Sequence, residues 1–222
     1  MITTAFFNNK GGVGKSTAAI NVAHALTKLN KRVLVVDCDS QRNSFDFFSD
    51  KDNVYTNSKE NPTRYENLDI KAGVYQRTNS KGDKSELAVS GNYDYVLLDM
   101  PSTLDKEVER TLSLCDFIFV PIELGQFSIS GIAKVTEAIA TTGAKLGGCF
   151  VSKFDHKNPA DHELDELLRS TGIKALTTLI PCSRVIKNSI SYRQTALEYM
   201  GWTEAAKSYM TLTREIMKIC EG

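Results

Sequence analysis

The residues of this chain best suited to chemistry open at Asn8-Asn9-Lys10-Gly11-Gly12-Val13-Gly14-Lys15-Ser16-Thr17. A short apolar run, Ile2 to Phe7, precedes them, and a long helical pattern starts near Ser16. Strand, glycine-rich loop and helix in that order turn successive backbone N–H groups into one concavity. With the helix N-terminus behind them they would cradle a triphosphate. Lys15 would reach the β- and γ-phosphates, and the Ser16 hydroxyl would ligate Mg²⁺. The alternative is a glycine-rich turn that binds nothing. Asn9 stands where the pattern G-x-x-x-x-G-K-[ST] usually has glycine, and asparagine is the side chain that best tolerates a left-handed backbone there. A second lysine, Lys10, shares the loop. Two lysines repel until phosphate neutralises them, which leaves one for a different nucleotide.

Two further sites carry carboxylates. Asp37-Cys38-Asp39-Ser40-Gln41 directly follows a buried apolar run, so Asp37 and Asp39 should lie at the ligand end of a strand. Asp39 is placed to point at the γ-phosphate. The alternative is that both merely cap the next helical turn. Asp99 closes Tyr95-Val96-Leu97-Leu98, four apolar residues and an aspartate. That position would hold Mg²⁺ through a water. The chemistry implied is in-line attack of water on a γ-phosphate. No arginine sits in these motifs as a finger in cis, which predicts slow turnover until a partner stimulates it.

Lys10-Gly11-Gly12-Val13-Gly14-Lys15-Ser16-Thr17 resembles the deviant Walker A box of the ParA/MinD ATPases, and the resemblance continues through most of the chain. It implies ATP and Mg²⁺ as ligands, with nucleotide contacts from Lys10 through Thr17. It implies that Lys10 reaches across a homodimer with sandwiched ATP to the partner's phosphates, and that Thr17 touches the α-phosphate. Asp39 is then the second aspartate of a D-x-D-P-Q box, which orients the attacking water and responds to the metal. Ser40 replaces the proline of that box. Met100-Pro101-Ser102 resembles the second switch, which commonly has two prolines where this chain keeps one. Val151-Ser152-Lys153-Phe154-Asp155 matches a segment bordering the base, where many relatives carry Asn near Ser152. Ile180-Pro181-Cys182 matches another, which places Pro181 beside the base.

The elements that must position these residues follow from periodicity. Helices are predicted over 16–29, 106–114, 130–141, 159–170 and 203–219, and strands over 33–36, 95–98, 117–120, 149–151 and 176–180. Residues 50–93 are polar, with a strand near 68–72 and a short helix near 83–89. Strands alternating with helices predict one α/β domain over 1–222, a doubly wound, mostly parallel sheet with helices on both faces. Ligands bind such sheets at the carboxyl ends of the strands. The start on the first strand predicts no N-terminal helix-turn-helix domain and no signal peptide.

Lys+Arg and Asp+Glu both number 27, which excludes a globally basic DNA binder. Five scattered cysteines without a C-x-x-C pair read as free thiols in a reducing cytosol. No apolar run is long enough to span a membrane. Residues 167–197 hold Arg169, Lys174, Arg184, Lys187 and Arg193 without an acidic residue. That stretch is either a solvated face or a salt-sensitive, sequence-blind DNA surface, with Arg184, Lys187 and Arg193 as the contacts. MinD-type relatives end in a basic amphipathic helix on the membrane. Here Ala205, Ala206, Tyr209, Met210, Leu212, Ile216 and Met217 make a broad apolar stripe whose polar side mixes both signs, which predicts core packing. Phe45, Phe47 and Phe48 are either core or a partner surface.

The resemblance thus implies a cytoplasmic partition switch, nucleoid-associated in its ATP state, with a ParB-like centromere-binding adaptor as trigger. The rivals are a MinD-like spatial regulator on a membrane or protein matrix, and a metabolic or metallocluster ATPase of the same superfamily.

Overall fold

The computed structural model describes residues 1–49, 60–73, 89, 92–124 and 128–222. Among these residues the strands are β1 (Ile2–Phe6), β2 (Val33–Asp37), β3 (Asn61–Pro62), β4 (Leu68–Ala72), β5 (Tyr95–Asp99), β6 (Phe117–Glu123), β7 (Lys145–Phe154) and β8 (Ala175–Pro181). They form one sheet in the order β3-β4-β2-β5-β1-β6-β7-β8. Every pairing is parallel except that of β3 with β4. The helices are α1 (Lys15–Lys28), α2 (Asn43–Phe48), α3 (Lys106–Ser113), α4 (Ser128–Thr142), α5 (Pro159–Ser170), α6 (Arg184–Ser191), α7 (Ala196–Met200) and α8 (Glu204–Glu221).

The central strands are apolar throughout because both sheet faces are covered. Side chains alternate between the faces, so Phe6, Val33, Val35 and Leu97 enter one core beside α1, α2 and α8. Ala5, Leu34, Val36, Val96 and Leu98 enter the other, where Val108, Ile132, Val135, Ile139 and Leu168 close over them. Phe45, Phe47 and Phe48 are all buried in the first core, which settles their role as packing. At Gly147 an added Cβ would lie 2.5 Å from the Phe119 ring, so only glycine lets β7 pass that side chain.

The strand predicted at 68–72 is β4. The helix predicted near 83–89 falls outside the described residues except for Val89, which is in no helix. Helices α2, α6 and α7 and the short strand β3 were not anticipated. β7 runs Lys145–Phe154, well beyond the predicted 149–151. Asn30, expected to end the first helix, does so with φ +60 just beyond the C-cap Leu29.

Helix α8 buries Ala205, Ala206, Tyr209, Leu212 and Ile216. These side chains are core, as the mixed-charge polar face predicts. Glu215 fastens the helix to β8: its two carboxylate oxygens accept the N–H and hydroxyl of both Thr177 and Thr178, at 2.7–3.1 Å. No helix among the described residues is long and apolar enough to cross a membrane.

Helix α1 is itself held at its middle. Asn21 accepts the Ala196 N–H at 2.8 Å and donates to the Thr17 carbonyl. His24 shares a 2.6 Å hydrogen bond with the Thr195 hydroxyl and stacks at 4.2 Å on the Tyr65 ring. Burial, with Lys28 and Arg64 nearby, pushes its pKa down to about 4 although Glu198 opposes the shift. A depressed histidine supports the fold fully above its unfolded pKa near 6.5. That support drains as pH falls towards 4, because only the unfolded chain takes up the proton in that window. Urea titrations of the wild type and His24→Asn between pH 7 and 4 should therefore diverge. The wild type should lose on the order of 3 kcal/mol more than the variant across the window.

Candidate functional site

β1, β5 and β2 are adjacent in the sheet, and their register aligns Phe6 with Asp99 and Asp99 with Asp37. The loop after β1 and both strand-end carboxylates therefore share one edge. The loop is anchored at its start by Asn8, which is buried. Its amide donates to the Pro121 carbonyl at 2.8 Å and its oxygen accepts the Lys10 N–H at 3.0 Å. Gly12 and Gly14 have φ of +75 and +93, a backbone that side chains resist, and Gly14 is the N-cap of α1. Asn9 does not have a positive φ, so the left-handed backbone expected of it is absent. The left-handed turns fall on the true glycines instead, and the asparagine stands in an ordinary conformation.

The two loop lysines occupy different environments. Lys15 is 6% exposed, and its ammonium donates to the Ser102 hydroxyl at 2.6 Å and the Lys10 carbonyl at 3.1 Å. Burial lowers its pKa, and Asp99 and Asp39 oppose that shift. The side chain of Lys10 is exposed on the outer side of the loop, bordering a hollow of about 330 Å³ with Val13, Glu123 and Ile132.

The acidic pair divides its work. Asp37 is buried and accepts the Ser44 hydroxyl and the Phe45 N–H at 2.8 Å, and the Asp39 N–H at 3.0 Å. It caps α2 from a distance, where the local N-cap Arg42 supplies no side-chain bond. The capping alternative thus describes Asp37. Asp39 uses one oxygen to accept the Gln41 N–H at 3.0 Å and lies close enough to Lys15 to raise that lysine's pKa.

Asp99 is fully buried, and neither carboxylate oxygen has a hydrogen-bond partner. Burial and the Asp37 charge push its pKa up to about 7, against the pull of the Ser16 and Ser44 hydroxyls and of Lys15. A buried carboxylate left without donors beside a serine hydroxyl fits a hard divalent cation, whose preferred ligands are oxygens. Ser16 and Asp99 are the residues that would hold it, with Asp39 near.

On the other side of α1's N-terminus, Gly14, Thr17, Ser152, Lys153 and Pro181 line a cavity of about 510 Å³ whose far wall is Ile186, Ile190 and Tyr209. Ser152 is missing from the sequence prediction as an anchor. Its hydroxyl lies 2.7 Å from the Val13 carbonyl and 3.0 Å from that of Ile122, which fixes the loop from this side. The signal was its place after a buried strand at the ligand end of the sheet. Lys153 holds a positive φ of +56 and pairs with Glu123 at 2.8 Å.

The three basic residues assigned to DNA lie on α6 and just beyond its end. Arg184 and Lys187 lie on α6, exposed at the rim of the same cavity. Arg193, with φ +54, follows α6, and its guanidinium donates to the Ser49 carbonyl at 3.2 Å. Arg169, part of the same basic stretch, pairs with Asp165 at 3.0 Å.

A glycine loop opening a helix at the carboxyl edge of a parallel sheet, with a buried lysine facing strand-end carboxylates, defines a P-loop nucleotide-binding protein. Residues 4–196 match the CobQ/CobB/MinD/ParA nucleotide binding domain, and the chain belongs to that family. The chromosome-partitioning ATPase Soj of Treponema pallidum is 25% identical over 246 residues, spanning 97% of this chain and 96% of that protein. The chromosome partitioning protein ParA of Myxococcus xanthus is 25% identical over 243 residues, spanning 95% and 86%. In fold the chain is similar to the cell division ATPase MinD of Pyrococcus furiosus, with TM-score 0.77, 18% identity and coverage of 98% and 99%. It is also similar to a putative plasmid partition protein of Borrelia burgdorferi B31 bound to AMPPNP, with TM-score 0.74, 20% identity and coverage of 98% and 97%.

The unsatisfied Asp99 carboxylate makes a prediction about stability. Asp99→Asn should stabilise the nucleotide-free protein at pH 8 by about 1–3 kcal/mol, because it removes a buried charge that no donor satisfies. The gain should shrink as pH falls below 7, where the wild-type carboxyl takes up its proton. Thermal or urea unfolding without nucleotide or divalent metal checks this, and an unchanged or lowered stability at pH 8 would contradict it.

Proposed function

We propose that this chain is a ParA-type partition ATPase that hydrolyses ATP slowly and uses the cycle to hold and release DNA. The observation that carries the reading is the separation of the two loop lysines. Lys15 is buried near Asp99 and Asp39 and bonded to Ser102, whereas Lys10, five residues earlier in the same loop, is exposed at the surface. A lysine so placed suits the phosphates of a second copy, in a homodimer with ATP sandwiched between the subunits. The partition proteins among its relatives support the same reading.

Within the site, the loop N–H groups and Lys15 would stabilise charge developing on the transferring phosphoryl group. Asp39 would orient the attacking water, and Thr17 would meet the α-phosphate. Mg²⁺ held by Ser16 and Asp99 would supply further charge neutralisation when bound. Pro181 and the apolar wall of α6 would enclose the base. The phosphate-loop and strand-end motifs themselves carry no arginine, which supports weak intrinsic turnover and stimulation by a ParB-like centromere-binding adaptor.

Nonspecific DNA would meet the exposed side chains of Arg184 and Lys187, with Arg193 further along the chain. Because α6 also walls the base cavity, nucleotide occupancy and DNA contact would bear on the same helix. That arrangement favours binding that depends on ATP, and a cytoplasmic protein associated with the nucleoid in its ATP state. The packed α8 gives no support to a membrane matrix.

Lys15→Ala should abolish ATP binding and hydrolysis. Lys10→Ala should keep nucleotide binding but lose the ATP-dependent dimer and the stimulated rate, read by light scattering and phosphate release. Sedimentation with random duplex DNA and, separately, with anionic liposomes should show DNA binding only with ATP and less of it at higher salt. Lipid binding instead would favour a MinD-like regulator, and binding to neither would favour a protein matrix or a metabolic role.

A further inference from the structure

The second switch of this chain does something that its relatives' pattern does not provide for. Where the resembling family commonly has a second proline, this chain has Ser102. Its hydroxyl oxygen accepts the Lys15 ammonium at 2.6 Å, a short, charge-assisted bond to a lysine that is 6% exposed. The same oxygen lies 3.8 Å from where a Cβ on Gly11 would stand, so Ser102 overhangs the glycine cradle itself. A proline has no hydroxyl and could not make this contact. While the oxygen accepts from Lys15, its own O–H remains available as a donor.

We propose that Ser102 is a γ-phosphate-sensing latch that ties the second switch to the phosphate lysine and sets the preference for a nucleoside triphosphate over a diphosphate. The inference rests on the ATPase reading given above. With the cradle empty, the loop after β5 is drawn onto the phosphate loop through the Lys15–Ser102 bond. An incoming phosphate competes with Ser102 for the Lys15 ammonium. A γ-phosphate oxygen replaces the lost partner twice over, by accepting from Lys15 and by accepting the Ser102 O–H. A diphosphate takes Lys15 but leaves the hydroxyl without that new acceptor. The triphosphate therefore recovers the cost of opening the latch and the diphosphate does not. Ser102 would touch the γ-phosphate directly as well as acting on Lys15 and the switch backbone, and no proton or phosphoryl group passes through it.

The test is the ratio of dissociation constants for ADP and for AMPPNP, measured by displacement of a fluorescent nucleotide from the full chain. Ser102→Ala should bind ADP more tightly and AMPPNP no more tightly than wild type. The triphosphate preference should fall about tenfold, the weight of one hydrogen bond to a charged group. Ser102→Thr keeps the hydroxyl and should keep the wild-type ratio, which a merely structural role would not require. Ser102→Gly replaces Ser102→Ala if the latter does not fold by circular dichroism. A ratio within twofold of wild type in the hydroxyl-free variant, or a threonine variant that behaves like alanine, overturns the latch. Failure of the wild type to bind either nucleotide overturns the ATPase reading instead, so the two failures are distinguishable.

Discussion

Two carboxylates, Asp37 and Asp99, stand side by side on neighbouring strands at one edge of the sheet, and the fold satisfies only one of them. Asp37 receives a hydroxyl and two backbone N–H groups and repays them by starting α2. Asp99 receives none, and its pKa rises to about 7 under burial and the charge of its neighbour. Bringing those strands into register therefore sets two carboxyls together, and Asp99 holds its proton more tightly as a result. Lys15 is near and its charge opposes the rise, while two of its N–H groups go to Ser102 and the Lys10 carbonyl. The site is electrostatically incomplete, and a divalent cation with phosphate would complete it.

The same edge explains how the switches are coupled to the core. Asp37 links β2 to α2, and α2 carries Phe45, Phe47 and Phe48 into the core beside α1. A change in charge at the phosphates thus bears on a helix whose packing reaches well behind the site. On the other flank, Ser152 ties the loop to β6 and β7, while α6 closes the cavity with Ile186 and Ile190. The loop is gripped from both sides, by Asn8 and by Ser152.

Much of this was readable in the sequence, for identifiable reasons. β2, β5 and β6 are uninterrupted apolar runs because both faces of the sheet are covered, and that pattern is local. The loop motif is local too, and so are the strand-end positions of Asp37 and Asp99. Helix α2 was not readable because the group that caps its N-terminus comes from β2 rather than from its own flank. Helices α6 and α7 are too short for periodicity to declare them, so no element was predicted between the strand at 176–180 and the helix at 203–219. The division between Asp37 and Asp39 depends on which of them meets Ser44, a tertiary fact. Asn9 misled because residue type was read as backbone geometry, when the flanking glycines already supplied every left-handed turn. Ser102 and Ser152 were visible only as departures from a family pattern, and their hydrogen bonds give those departures content.

The clasp between Glu215 and β8 bears on how copies of this chain can assemble. β8 is the last strand of the sheet, and an open edge of that kind invites pairing with a strand from another molecule. Here the amides of Thr177 and Thr178 are already engaged by a carboxylate from α8. A second chain approaching that rim would find a bound anion where it needs free donors. Growth by strand addition is thereby obstructed along this side of the sheet.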